Sequence, residues 1–163
     1  MWTTEHTAVT SLPPEAVWDA LRALHEGRLV YEGSDEFVLH GPFAVGTRLS
    51  VTPEGQETFD STIVDLVENS TYADETQFGD ITLRFRHTLV PTVTGTIVTH
   101  RLEIDGPSAD EVGEELGPQI AGDFPESMQR LLDAAASGAA LPTESEVESE
   151  AEPDAAPQEA TDA

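Results

Sequence analysis

The chain contains neither cysteine nor lysine. Without cysteine there are no disulfides, thiolate metal sites or cysteine nucleophiles. Its seven basic residues are all arginine (Arg22, Arg28, Arg48, Arg84, Arg86, Arg101 and Arg130), against 32 acidic ones, for a formal net charge of -25. Such a surface repels phosphate backbones and anionic headgroups, which argues against nucleic acid and membranes as partners. Solubility, as in a salt-rich cytosol, is the plain explanation of this acidity, and a specific cationic partner the narrower one. Apolar content is low, 38% over 163 residues. No apolar run approaches the about 20 residues that a membrane span needs. The opening Met-Trp-Thr-Thr-Glu lacks the basic and apolar regions of a signal peptide. The expectation is a soluble, cytoplasmic protein. Phosphate loops, dinucleotide fingerprints, Ser–His–Asp signatures and metal-ligand spacings such as HExxH are all missing.

Composition divides the chain in two. From Gly138 onward the sequence is rich in Ala, Glu, Pro and Ser, with no basic and no aromatic residue. It cannot bury enough apolar surface to offset ordering entropy, which predicts a disordered, solubilising tail over 138–163. Residues 1–137 form the expected folded domain. Its opening is Thr-rich and strand-like over 2–11. PPEAVWDAL then starts a helix over 14–26, with proline where an N–H would lack a partner anyway. Val17, Leu21 and Leu24 give that helix one apolar face, which Trp18 broadens.

Strand patterning follows at 36–40, 47–52, 56–67 and 71–77. In the third of these the apolar parity switches near Ile63 and Val64, which predicts a β-bulge. Two strong strands come next, ITLRFRHTL from Ile81 and TIVTHRLEI from Thr96, with Pro91 to Gly95 closing them as a hairpin. Ile120, Phe124, Met128, Leu131 and Leu132 predict one helix over about 118–136. Pro125 either kinks this helix or marks a fresh start after Asp123.

The element order, with PPEAVWDAL, GPFAVGTRL, LRFRHTL, VTHRLEIDGP and AGDFPESMQRLL in sequence, resembles the START-like SRPBCC superfamily. This superfamily includes polyketide cyclase/dehydrase and lipid-transport domains. The resemblance covers roughly residues 2–136 and implies an α+β helix-grip fold. In it a curved antiparallel sheet of about six or seven strands wraps around a long C-terminal helix and leaves an internal cavity. It does not fix a function, because members include cyclases, hydroxylase domains, lipid carriers and co-chaperone modules.

The sharpest local feature is a histidine pair. His87 and His100 both fall on the apolar face of their strands. A hairpin register pairing Pro91 with Thr96 sets them directly opposite each other. Two such imidazoles can hydrogen-bond a ligand, or serve as acid and base. The simpler explanation is a structural pair within the core. Asp74 shares parity with Tyr72 and Thr76 and could orient a histidine, although an outward Asp on an acidic surface is the simpler expectation. Trp2 and Trp18 read as core packing. Tyr31, in the unpatterned segment after the first helix, is a gate candidate, because the resembled family often builds its cavity entrance there.

These residues predict a domain that binds a small hydrophobic or aromatic, lipid- or polyketide-like molecule between sheet and C-terminal helix. Leu49, Phe59, Leu83, Phe85, Val98 and Leu102 would line the pocket. Phe124 and Met128 would cover it, and His87 and His100 would supply polar contacts. No cofactor or metal is expected. Two alternatives stay open. One is a polyketide cyclase/aromatase-type enzyme whose inward histidines, with Asp74, move protons. The other is a non-enzymatic, co-chaperone-like interaction module with a filled core.

Overall fold

The computed structural model describes residues 1–138, so the tail expected over 138–163 lies, apart from Gly138, outside the described residues. Alternation of apolar and polar residues builds seven strands: β1 (Trp2–Thr10), β2 (Glu36–Leu39), β3 (Arg48–Thr52), β4 (Phe59–Val67), β5 (Thr71–Phe78), β6 (Ile81–Thr92) and β7 (Gly95–Asp105). They form one antiparallel sheet in the order β1-β7-β6-β5-β4-β3-β2. The register of β4 against β5 shifts between Ile63 and Asp65, placing a bulge where the parity switched. A bulge of this kind bends the strand and deepens the curvature of the sheet.

Helix α1 (Pro14–His25) begins on Pro14 and ends in a left-handed residue, Gly27 at φ 81°. Bonds from Gly27 N to Leu24 O and from Arg28 N to Ala23 O close the end as a Schellman motif. A side chain at Gly27 would also strike the Phe37 carbonyl oxygen at 2.7 Å. Val17, Trp18, Ala20, Leu21, Ala23 and His25 are buried against the sheet.

The C-terminal segment differs from the single helix expected over 118–136. It consists of α2 (Ala109–Ala121) and α3 (Phe124–Ser137), divided at Gly122 and Asp123. Pro125 lies in the first turn of α3 and marks the fresh start after Asp123. Pro118 sits inside α2 rather than opening a helix. The fully buried positions of α2 are only the small residues Ala109, Gly113 and Gly117, and its apolar stripe, Val112, Leu116 and Ile120, is partly buried. Two strand limits also moved. β4 begins at Phe59 rather than residue 56, because the turn bond from Gln56 N to Pro53 O extends the loop. β6 and β7 run on to a tight turn that pairs Thr92 with Gly95.

Two apolar clusters form under the concave face. One joins α1 and α3 through Val17, Leu21, Leu49, Tyr72, Val98, Met128 and Leu132. The other lies toward α2 and joins Ile81, Leu83, Leu102, Ile104, Ala109 and Phe124. Full burial of one such large side chain contributes about 1.5–3 kcal/mol.

Candidate functional site

The strand register lays one row of side chains straight across the concave face. His6 of β1 pairs with His100 of β7, His100 with His87 of β6, and His87 with Tyr72 of β5. Helix α1 places His25 against this row, one turn beyond Leu21. The His25 Nδ1–H donates to the Leu21 carbonyl at 2.8 Å. His25 lies 4.1 Å from Tyr72 and 5.7 Å from His87, centroid to centroid. His87 and His100 stack at 3.9 Å and 21°. Phe124, the first residue of α3, stacks on the other side of His100 at 3.9 Å. The column of rings thus connects the two apolar clusters. Its rings are in contact, so a ligand lodging within it must move one of them.

Burial governs the charge state. It lowers His25 to about 4, against which the bond to Leu21 pulls upward. Burial first, then His25 and His6, lowers His100 to about 3. Burial, His100 and His25 together hold His87 well below its ordinary value. These three imidazoles are therefore neutral at pH 7. His87 Nδ1 and His100 Nε2 are both buried and have no hydrogen-bond partner.

Next to this row, β5 presents a buried polar strip. Tyr72 donates from its hydroxyl to Asp74 Oδ2 at 2.7 Å. Burial raises Asp74 to about 6; the bond from Tyr72 opposes the rise, and Asp35 adds to it. Burial and Asp74 push the Tyr72 phenol well above its usual range. Thr76, next on the same face, is 3% exposed and its Oγ1 has no partner. Phe43, from the loop between β2 and β3, covers Tyr72 in a parallel stack at 5.8 Å. Among the described residues no group of three or more His, Asp or Glu is arranged to hold a metal ion.

No family model and no curated protein matches this sequence. Solved structures do. A Mesorhizobium loti protein, MLL2253, is 24% identical with a TM-score of 0.58, over 81% of this chain and 97% of its own. A Thalictrum flavum norcoclaurine synthase point mutant, solved with a transition-state analogue, is 14% identical with a TM-score of 0.66, over 83% and 94%. Ara h 8.0201 is 20% identical with a TM-score of 0.54, over 81% and 98%. The chain has the START-like helix-grip fold. At these identities the likeness concerns architecture alone.

The helix-grip sheet disposes the sequence-derived candidates unevenly. His87 and His100 point inward and face each other across the register in which Pro91 pairs with Thr96. Asp74 is also inward and 5% exposed, so the outward expectation fails, and its partner is Tyr72 rather than a histidine. The apolar residues expected to line one pocket fall into two groups. Leu49, Val98 and Met128 pack in the α1–α3 cluster, with Phe59 and Tyr31 at its margin. Leu83, Leu102 and Phe124 pack toward α2, with Phe85 beside them. The ring of Phe59 meets Phe78, at the opposite end of β5 from Tyr72. Tyr31 is partly buried near Asp35 and Arg130, and its phenol rises to about 12, chiefly through burial. Of two surface depressions, one of about 470 Å³ reaches Thr76 at the end of the polar strip, with Phe59 and Gln77, and one of about 300 Å³ lies away from it around Met1 and Arg84.

Sequence reasoning missed His6 and His25. Each left a signal. His6 shares parity with Trp2 and Ala8 on β1. His25 follows Leu21 by four residues, on the apolar face of α1.

Proposed function

We propose that the concave face binds a small hydrophobic or aromatic molecule between the sheet and α3. The observation that carries this is the pair of unpartnered buried nitrogens, His87 Nδ1 and His100 Nε2, set among aromatic rings. An unsatisfied buried polar group costs about 1–3 kcal/mol. Natural interiors seldom keep two side by side without a purpose. A ligand hydroxyl or carbonyl would satisfy them while its apolar body replaced ring contacts. Phe43 or Phe124 is the ring that must yield, since each belongs to a segment that begins outside the sheet. A norcoclaurine synthase structure of the same fold was solved with dopamine and hydroxybenzaldehyde. Small aromatics are thus a size class that this architecture can hold.

Native mass spectrometry of freshly purified protein tests the reading. We expect a reproducible extra mass that is lost on denaturation, or a saturable change in Trp18 fluorescence when 2-phenylethanol or 3-indoleethanol is added. His87→Ala with His100→Ala should weaken the response while leaving the fold intact. A bare mass together with no saturation by either alcohol up to millimolar concentration would overturn the reading.

A further inference from the structure

We infer that the concave site prefers an aromatic ligand carrying a protonated amine, held by the buried carboxyl group of Asp74. This rests on the reading that the concave face binds small aromatic molecules, and it names their charge. Asp74 is 5% exposed and lies between Ile63 and Phe85 in the cross-strand register. Its donor, the Tyr72 hydroxyl, is neutral, and the Ser61 hydroxyl donates to the Glu75 carbonyl instead. A buried charge is costly unless it is paired. No cation among the described residues pairs with this one.

The arginines are committed elsewhere. Arg84, Arg86 and Arg101 lie on the convex face with Glu75, Glu103, Asp65 and Glu5. Arg22 and Arg28 share Glu26, and Arg48 pairs with Asp60. Arg130 holds Glu126 and the Glu32 carbonyl. The imidazoles of His25, His87 and His100 are neutral at pH 7 and add no positive charge. Asp35 is itself partly buried. Its carboxyl feels Asp123 and acts on Asp74, so the field at this end of the site is negative.

Two further groups point to a donor-rich ligand. Thr76 Oγ1 and His87 Nδ1 are both more than nine-tenths buried and both unpartnered. They lie on the concave face next to Asp74, Thr76 two residues along the same strand and His87 opposite Tyr72. An ammonium group has three donors; Asp74 offers an acceptor for one, and Thr76, two residues along the same face, or His87, on the neighbouring strand, offers a second. The ring of Tyr72 supplies an aromatic face for a cation. A carboxylate or phosphate ligand would be repelled here, and a neutral one would leave Asp74 without a counter-ion.

The test compares two isosteric probes, 2-phenylethylamine and 2-phenylethanol, by calorimetric titration at pH 7.5. We expect the amine to bind about tenfold more tightly or better, the factor a charge-assisted bond provides. In Asp74→Asn the two probes should bind alike, with the alcohol changed less than about twofold on that same scale. Equal binding in the native protein overturns the inference. So does a preference that survives in Asp74→Asn, since that would come from the overall negative charge. If Asp74→Asn does not fold, the native protein still decides. The Asp74 carboxyl ¹³C titration should move to lower pH with the amine and stay in place with the alcohol, and an unmoved titration overturns the inference. Tight alcohol binding with no amine advantage defeats only this inference. Absence of binding by either probe defeats the broader reading as well.

Discussion

His25 shows how one side chain couples packing to pH. It is 3% exposed, and its ring touches Phe37, Tyr72 and His87. In the unfolded chain it titrates near 6.5, in the fold near 4. The unfolded state therefore takes up protons first, and stability falls as pH drops below about 6.5. For His25 alone the loss approaches roughly 3 kcal/mol by the time the folded ring titrates. His100 and His87 act in the same direction. Asp74 acts in the opposite one. Its raised value, about 6 against 3.8, gives stability that is full below 3.8 and lost as pH rises through 6. Asp35, raised chiefly by burial, acts as Asp74 does. Three imidazoles outweigh these two carboxyls, so we expect urea-unfolding free energy to decline from pH 6.5 to pH 4. His25→Phe, which keeps the ring and removes its titration, should decline less steeply. An identical slope in that variant would show that the ring is not the source. Strand alternation made the inward parity of His87 and His100 legible, whereas on the weakly patterned β5 it left an outward Asp74 the simpler expectation. The partner of Asp74 was not legible, since a hydrogen bond between residues two apart depends on rotamers. His25 was hidden because helix periodicity marks a face without saying what lies across from it.

At the level of elements, the strands were the most legible part, for period-two patterning survives wherever one face is buried. Helix α2 was the least legible. Its sequence ADEVGEELGPQIA carries acids, two glycines and a proline, and its large apolar residues, Val112, Leu116 and Ile120, are only partly buried. Trp2 packs with them, its ring lying across Gly113 and Gly117. A Cβ at Gly117 would come within 2.0 Å of the indole Cη2, and one at Gly113 within 2.5 Å of Trp2 Cβ and Cγ. In an exposed helix, Gly→Ala stabilises by up to about 1 kcal/mol. Here overpacking opposes that gain and costs about 1–3 kcal/mol. We therefore expect Gly117→Ala to lower the urea midpoint. In a Trp2→Ala background the same change should become neutral or stabilising. Additive effects of the two substitutions would mean that the indole does not seat α2. The register of β1 on β7 gave the sequence no means of revealing this contact, because Trp2 and Gly117 belong to opposite ends of the folded domain.

At the scale of the whole molecule, the convex face of the sheet carries its charges in a definite pattern. One end is a lattice in which Arg84 bridges Glu75 and Glu103, Arg101 bridges Glu103 and Glu5, and Arg86 reaches Asp65. The other end is uncharged across neighbouring strands, with Val9, Ile97 and Val90 in one row and Thr7, Thr99, Thr88 and Thr71 in the next. Three of the seven arginines sit in this lattice and the other four pair elsewhere, and together they leave a net charge of -25. Salt then has two opposing effects. It weakens exposed ion pairs, each worth about 0–1 kcal/mol. It also screens the mutual repulsion of the many remaining acids, over a Debye length that shrinks to about 3 Å at 1 M. With 32 acids against seven arginines, repulsion is the larger sum. We expect the urea midpoint to rise steadily from 0.02 M to roughly 1 M sodium chloride, most of the gain coming below the concentration at which the Debye length is about 10 Å. A midpoint that falls with salt would mean that the convex ion lattice, rather than self-repulsion, dominates the electrostatics of this domain.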